Sequence, residues 1–71
     1  MKGVYAVLKV GDYAITVTRR NPFYSGGKIV NIDLENEYSY DLRYPDGYGC
    51  NYKENELIKV NNEKDCYNSN S

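Results

Sequence analysis

Short apolar runs, each closed by a turn signal, constrain the fold of this chain more than any other feature of its sequence. The runs are rich in β-branched and aromatic residues, and several alternate with polar residues, which is the pattern of a half-buried strand. None has helical apolar spacing long enough for a helix. The predicted strands are 3–10, 13–19, 28–34, 38–44 and 48–52.

Glycine, proline and aspartate separate these runs, because glycine accepts positive φ and proline removes a backbone donor. The turn and loop signals are Gly11-Asp12, Gly26-Gly27 and Pro45-Asp46-Gly47. Residues 53–57 are predicted to form a single helical turn, after which Ile58 and Val60 return the chain to the sheet.

Alternation also predicts which side chains share a face of each strand. In 28–34, Val30, Ile32 and Leu34 share one face and Ile29 lies on the other. The corresponding sets in 13–19 and 38–44 are Tyr13, Ile15 and Val17, and Tyr38, Tyr40, Leu42 and Tyr44.

The length of 71 residues favours a closed or nearly closed barrel, in which short strands share one core and few edges stay unpaired. The predicted class is therefore all-β: a small barrel of five to six strands, with a short helical turn before the last strand. We expect one domain over residues 1–60 and a polar, disordered tail over 61–71.

The order of several segments resembles that of Tudor-like and related SH3-like barrels. The segments are Val10-Gly11-Asp12, Gly27-Lys28-Ile29-Val30-Asn31-Ile32, Tyr40-Asp41-Leu42-Arg43-Tyr44-Pro45-Asp46-Gly47 and Glu56-Leu57-Ile58-Lys59-Val60. The resemblance implies an SH3-like barrel over roughly residues 10–60, closed by a helical turn that carries Leu57. It also implies that the loop at residues 20–27, the first loop of the barrel, lies at the same end as the Pro45-Asp46-Gly47 turn.

Tudor-like domains that read methylated side chains build an aromatic cage from loops at that end. Here the resemblance assigns Phe23, Tyr24, Tyr44 and Tyr48, the loop aromatics, with Asp46 as the partner of a cation. Such a cage would suit a guanidinium or an ammonium group. Aromatic loop residues beside Pro and Gly are also candidates for a protein interface or a stacking platform.

Tyrosine is the most unusual component of the sequence, with nine residues against a single Phe. The ring of a tyrosine packs while its hydroxyl stays hydrated, which suits the thin cover of a small barrel. Alternation predicts this packing role for Tyr5, Tyr13, Tyr38 and Tyr40. Packing is also the alternative role for the loop aromatics.

Arg19, Arg20 and Arg43 are the only arginines, and with Lys28 they would form a modest basic edge. This edge would contact phosphate or an acidic patch on a partner, or would act only as a solvated edge that blocks sheet-to-sheet pairing. The net charge of −1 and the pI of about 5.2 argue against a general nucleic-acid binder, which would be strongly basic.

No set of residues suited to catalysis or metal binding is found in the sequence. Histidine is absent, and the acidic pairs lack a second group of ligands. We therefore predict no catalytic residues, no metal and no cofactor. Cys50 and Cys66 are too few for a disulfide scaffold, and whether they pair is left open.

These observations predict a non-enzymatic binding module with a protein partner, and nucleic acid is the alternative partner. Abundant Asn, Tyr, Lys and Ile, all encoded by AT-rich codons, indicate a low-GC genome. The sharpest hypothesis is a phage or mobile-element accessory protein that inhibits a host or defence protein. No apolar run has the length of a signal or membrane segment, so we expect a cytoplasmic protein without membrane contact. It would be a monomer, or a homodimer through the first strand.

Overall fold

The computed structural model describes residues 8–18 and 21–67, which form one antiparallel sheet of five strands. The strands are β1 (Tyr13–Thr16), β2 (Gly26–Ile32), β3 (Tyr40–Arg43), β4 (Gly49–Tyr52) and β5 (Leu57–Val60). A first 3₁₀ turn, Glu54–Glu56, precedes β5, and a second, Glu63–Cys66, follows it. The all-β class and the turn before the last strand are confirmed. Most of the predicted strand 3–10 lies outside the described residues.

The strands are ordered β4-β3-β2-β1-β5, so the last strand returns to pair with the first. The β1–β5 register runs from Tyr13 opposite Val60 to Thr16 opposite Leu57. Among the residues that the structure describes, β4 and β5 do not pair with each other. The sheet is thus compatible with a small barrel-like fold but is not closed, and barrel closure stays a prediction.

A bulge at Val30 resets the alternation of β2. Ile29 lies opposite Leu42, and Asn31 lies opposite Asp41, the next residue back along β3. Val30 is therefore an extra residue in the ladder, and the parity of inward and outward side chains changes there. Ile29 is buried and Ile32 packs against the core, whereas Val30 is exposed, so the predicted shared face of Val30, Ile32 and Leu34 is wrong.

The core holds three tyrosine rings among smaller apolar side chains. Its buried members are Leu8, Ala14, Ile29, Tyr40, Leu42, Tyr44, Tyr52 and Leu57. The hydroxyls of Tyr44 and Tyr52 hydrogen-bond to each other inside the core. Two polar groups that would otherwise be costly to bury thus satisfy each other. The packing role predicted for Tyr40 is confirmed.

Gly26 and Gly27, predicted as a turn, are buried residues at the start of β2, and neither has a positive φ. An added Cβ atom would lie 1.9 Å from the Ala14 carbonyl oxygen at Gly26, and 2.1 Å from that of Arg43 at Gly27. Glycine is needed here because the backbones of both neighbouring strands approach closely. The positive φ values belong to Gly11 and Gly47, at the other two predicted turns.

Residues 61–67, the described part of the predicted tail, pack against the sheet. Cys66 is fully buried, and its Sγ lies 3.8 Å from the Ala14 carbonyl oxygen and 3.7 Å from that of Gly27. The backbone N–H of Ser25 donates to the Cys66 carbonyl oxygen at 2.6 Å. The expected disorder therefore does not describe residues 61–67, whereas 68–71 lie outside the described residues. Both cysteines are free.

Burial, reinforced by the charges of Asp65 and Glu63, raises the pKa of the Cys66 thiol to about 11 from 9.0. The thiol therefore has a higher pKa in the folded chain than in the unfolded chain. Below pH 9 the thiol is protonated in both states and its contribution to stability is complete, and this contribution is lost as the pH rises towards 11. We expect the free energy of unfolding to fall by roughly 2–3 kcal/mol across that window.

Urea unfolding of the wild type and of Cys66→Ala at pH 9 and at pH 11 measures this loss. The tyrosines titrate in both proteins, so the difference between the two proteins isolates the contribution of Cys66. A loss of equal size in the two proteins would contradict the assignment to Cys66.

At pH 8 a thiol reagent should modify the half-buried Cys50 before Cys66.

Candidate functional site

Two loops meet at one end of the sheet. The first loop, residues 21–25, leads into β2, and the turn at 44–48 joins β3 to β4, so antiparallel pairing brings both to the same end. The Asn21 side-chain amide donates to an Asp46 carboxylate oxygen at 3.4 Å, which links the two directly. The prediction that these loops lie at the same end is confirmed.

Asn21 organises the first loop from its buried position. Its Oδ1 accepts the backbone N–H of Phe23 at 2.8 Å and that of Tyr24 at 3.1 Å. An asparagine that binds the amides following it is a recognised local turn. Sequence reasoning missed this residue, although its position directly before Pro22 was a usable signal.

Phe23 and Tyr48 form what we call the apolar tip. Phe23 is 71% exposed and Tyr48 is 75% exposed. Asp46 accepts the backbone N–H of Tyr48 at 3.1 Å through Oδ1, while its Oδ2 binds Asn21. The two exposed rings are therefore carried by loops that side-chain hydrogen bonds hold in place.

The other two loop aromatics have structural positions. Tyr44 is only 3% exposed, and its hydroxyl binds Tyr52 in the core. Tyr24 is half-buried and packs edge-on against Tyr67, with ring centroids 5.2 Å apart. The four loop aromatics consequently do not line one open cage, because the Tyr44 ring points into the sheet.

Lys28 and Arg43, the described part of the basic edge, are exposed and lie directly opposite each other in the β2–β3 register. Neither has an ion-pair partner in the described part of the chain, whereas Lys53 pairs with Glu37 at 3.2 Å. Lys28 and Arg43 line a cavity of about 210 Å³. Arg19 and Arg20 lie outside the described residues.

The described residues contain no group of three or more His, Cys, Asp or Glu side chains that could hold a metal ion. Cys66 is fully buried, and burial raises the pKa of its thiol, so it lacks the exposed, low-pKa environment that a reactive cysteine has. No helix over residues 8–18 and 21–67 is long and apolar enough to cross a membrane. What the described surface does offer is an apolar tip and a cationic cavity.

No known protein family, curated protein or solved structure matches this chain. The resemblance to SH3-like and Tudor-like barrels therefore stays a prediction based on segment order. The fold and the site define a small all-β domain. Any function of this domain has to be inferred from its own exposed side chains.

Proposed function

We propose that this chain is a non-enzymatic binding module that docks a protein partner through the apolar tip. The exposure of Phe23 and Tyr48 on linked, neighbouring loops carries this proposal. Large aromatic rings are enriched in the desolvated centres of protein interfaces, where a few of them supply most of the binding energy. Two such rings left in water at one end of a small domain fit that role.

Preorganisation of the loops supports the same function. Asn21 and Asp46 together hold the backbone amides of Phe23, Tyr24 and Tyr48. Docking on these loops therefore avoids much of the conformational entropy that ordering a free loop would cost. Binding residues on loops held by a rigid sheet are a common arrangement.

Within the all-β class, we propose that the chain folds as an SH3-like barrel. The pairing of β5 with β1 and the 3₁₀ turn Glu54–Glu56 before β5 support it. The bulge at Val30 and the close approaches at Gly26 and Gly27 would supply the curvature that a closed sheet needs.

We further propose that the partner is a host or defence protein, inhibited by a phage or mobile-element accessory protein. The supporting observation is the abundance of residue types with AT-rich codons. A lysate from a low-GC bacterium is therefore the appropriate source of partners.

The proposal is tested with immobilised full-length chain in such a lysate, comparing the wild type with the double variant Phe23→Ser/Tyr48→Ser. The matched control is Leu34→Ser, because Leu34 is 77% exposed in the β2–β3 turn at the opposite end of the sheet. Wild type and control should retain the same protein, and the double variant should lose it by about 100-fold or more in affinity.

Asn21→Ala should weaken the same binding less than the double variant does, because it loosens the first loop without removing a ring. Capture of the same proteins by all variants, or of none by the wild type, would contradict docking through the apolar tip.

Nucleic acid is the second candidate partner, favoured by Lys28 and Arg43 on neighbouring strands, which form no ion pair with another described residue. Binding of this kind weakens steeply with salt because each phosphate contact releases counterions. A gel shift with single-stranded and duplex oligonucleotides at low salt tests it, and an unshifted band removes it.

A further inference from the structure

The cavity beside Lys28 and Arg43 is not used by docking through the apolar tip alone. Its lining sets these two cations on adjacent strands, with Tyr13 of β1 directly opposite Lys28 on the other side. Like charges directly opposite each other destabilise a sheet. Neither cation forms an ion pair within the described chain, although Glu63 lines the same cavity, so their repulsion is a structural cost that a bound anion would relieve.

The walls of the cavity indicate the size and charge of that anion. Tyr13, Val30 and Pro45 give it apolar sides, and Glu63 of the second 3₁₀ turn adds one negative charge to the lining. Two cations and one carboxylate leave a formal excess of one positive charge, which matches a monoanion. A volume of about 210 Å³ has room for the end of one side chain.

We propose that this cavity receives the carboxylate of an acidic side chain, Asp or Glu, on the protein partner. The guanidinium of Arg43 matches the planar, two-oxygen geometry of a carboxylate, and the ammonium of Lys28 supplies a second point charge. The apolar walls would hold the methylene stem. The inference rests on the proposed function, since it names the chemistry of the same partner.

The position of the cavity relative to the apolar tip supports one continuous docking surface. Pro45 lines the cavity, and the next residue, Asp46, binds the amide of Tyr48. A partner surface that covers Tyr48 would therefore reach the cavity with a neighbouring side chain. An aromatic-contacting surface with an adjacent acidic residue is the expected complement.

A protein carboxylate is favoured over a nucleic-acid phosphate by the distribution of charge. Strong binding of a polyanion needs several phosphate contacts, but the described cavity lining holds only Lys28 and Arg43 as cations. The net charge of −1 also gives no long-range attraction for a polyanion.

The test is an NMR titration of the full chain, at low salt, with a terminally blocked peptide of alternating Gly and Glu. The matched peptide has Gln in place of Glu, and a single-stranded oligonucleotide is the third probe. The Glu peptide should shift the resonances of Tyr13, Lys28 and Arg43, and the Gln peptide should not. Arg43→Gln should weaken the affinity by about 10-fold or more.

Two further variants sharpen the assignment. Glu63→Gln should tighten binding of the Glu peptide by roughly two- to fivefold, because it removes the competing carboxylate. Lys53→Gln is the control, because Lys53 already pairs with Glu37 near the opposite end, and it should leave the affinity unchanged. Arg43→Gln should fold at least as stably as the wild type, since it relieves the like-charge pair.

The proposal is overturned if the Glu peptide leaves Lys28 and Arg43 unshifted, if the Gln peptide binds equally well, or if the oligonucleotide binds more tightly than the Glu peptide. The variant Phe23→Ser/Tyr48→Ser separates the two proposals, because it should still bind the Glu peptide. Failure of partner capture with an intact peptide titration would refute only docking through the apolar tip.

Discussion

Replacing Gly27 with alanine is expected to cost more than about 3 kcal/mol in the free energy of unfolding, or to prevent folding. The new Cβ atom would lie 2.1 Å from the Arg43 carbonyl oxygen and 2.9 Å from the Tyr44 Cα, where real Cβ contacts stay above 3.0 Å. These are backbone atoms, so relief requires separating β2 from β3. A domain of this length has roughly 4–10 kcal/mol of stability in total.

Gly47→Ala is the matched control for this experiment. Gly47 has a φ of 97°, but no atom lies within 4 Å of the added Cβ, so only backbone strain applies. That strain costs about 1–2 kcal/mol. Urea unfolding followed by circular dichroism compares the two variants, and a Gly27→Ala midpoint at or above that of Gly47→Ala would contradict the close approach.

Leu42→Ala is expected to lower the free energy of unfolding by about 2–5 kcal/mol. Leu42 is fully buried at the centre of the sheet, opposite Ile29 on β2 and Cys50 on β4. Truncation removes its apolar contacts and leaves a cavity. The strands around this cavity are held in register by their hydrogen bonds, so they cannot move together to fill it.

The comparison variant is Leu34→Ala, because alternation in the sequence predicts Leu34 to share a face with Ile32, whereas the structure exposes it. Its loss should stay within about 0.5 kcal/mol. Chemical denaturation of both variants measures the difference, and equal losses would place Leu34 in the core, against its exposed position in the turn after β2.

The core and the apolar tip are mechanically connected through Tyr44. Its buried ring, bonded to Tyr52, anchors the chain directly before the turn that carries Asp46 and Tyr48. Tyr44 was predicted to bind the partner, but it instead supports the turn that carries Tyr48, which binds the partner in our proposal.

Local sequence was sufficient for the features that depend on neighbours along the chain. Turn chemistry located the positive-φ residues Gly11 and Gly47, and alternation identified Tyr40 and Leu42 as core. Short apolar runs that alternate with polar residues, with no helical spacing, determined the all-β class. Phe23 and Tyr48 were identifiable as candidate site residues because loop aromatics beside Pro and Gly have no local partner to bury them, whereas Asp46 was assigned through the Tudor-like resemblance.

Two sequence signals conflict at Tyr44: alternation places it with Tyr40 and Leu42, whereas its position beside the Pro45-Asp46-Gly47 turn groups it with Tyr48. Tyr44 continues the inward parity of β3 and reaches Tyr52, whereas Tyr48 lies in the turn and stays in water. The contact between Asn21 and Asp46 joins residues 25 positions apart, so no local pattern encodes it.

Composition, turns and alternation therefore determined the class of this protein and most of its exposed candidate residues, because each follows from short-range backbone preferences. Only the tertiary structure decided that Val30 bulges, that Gly27 meets a neighbouring backbone, that Cys66 is buried and that Lys28 faces Arg43. The physical reason is shared by all four: strand register and close packing are set between segments that are distant in sequence, where periodicity carries no information.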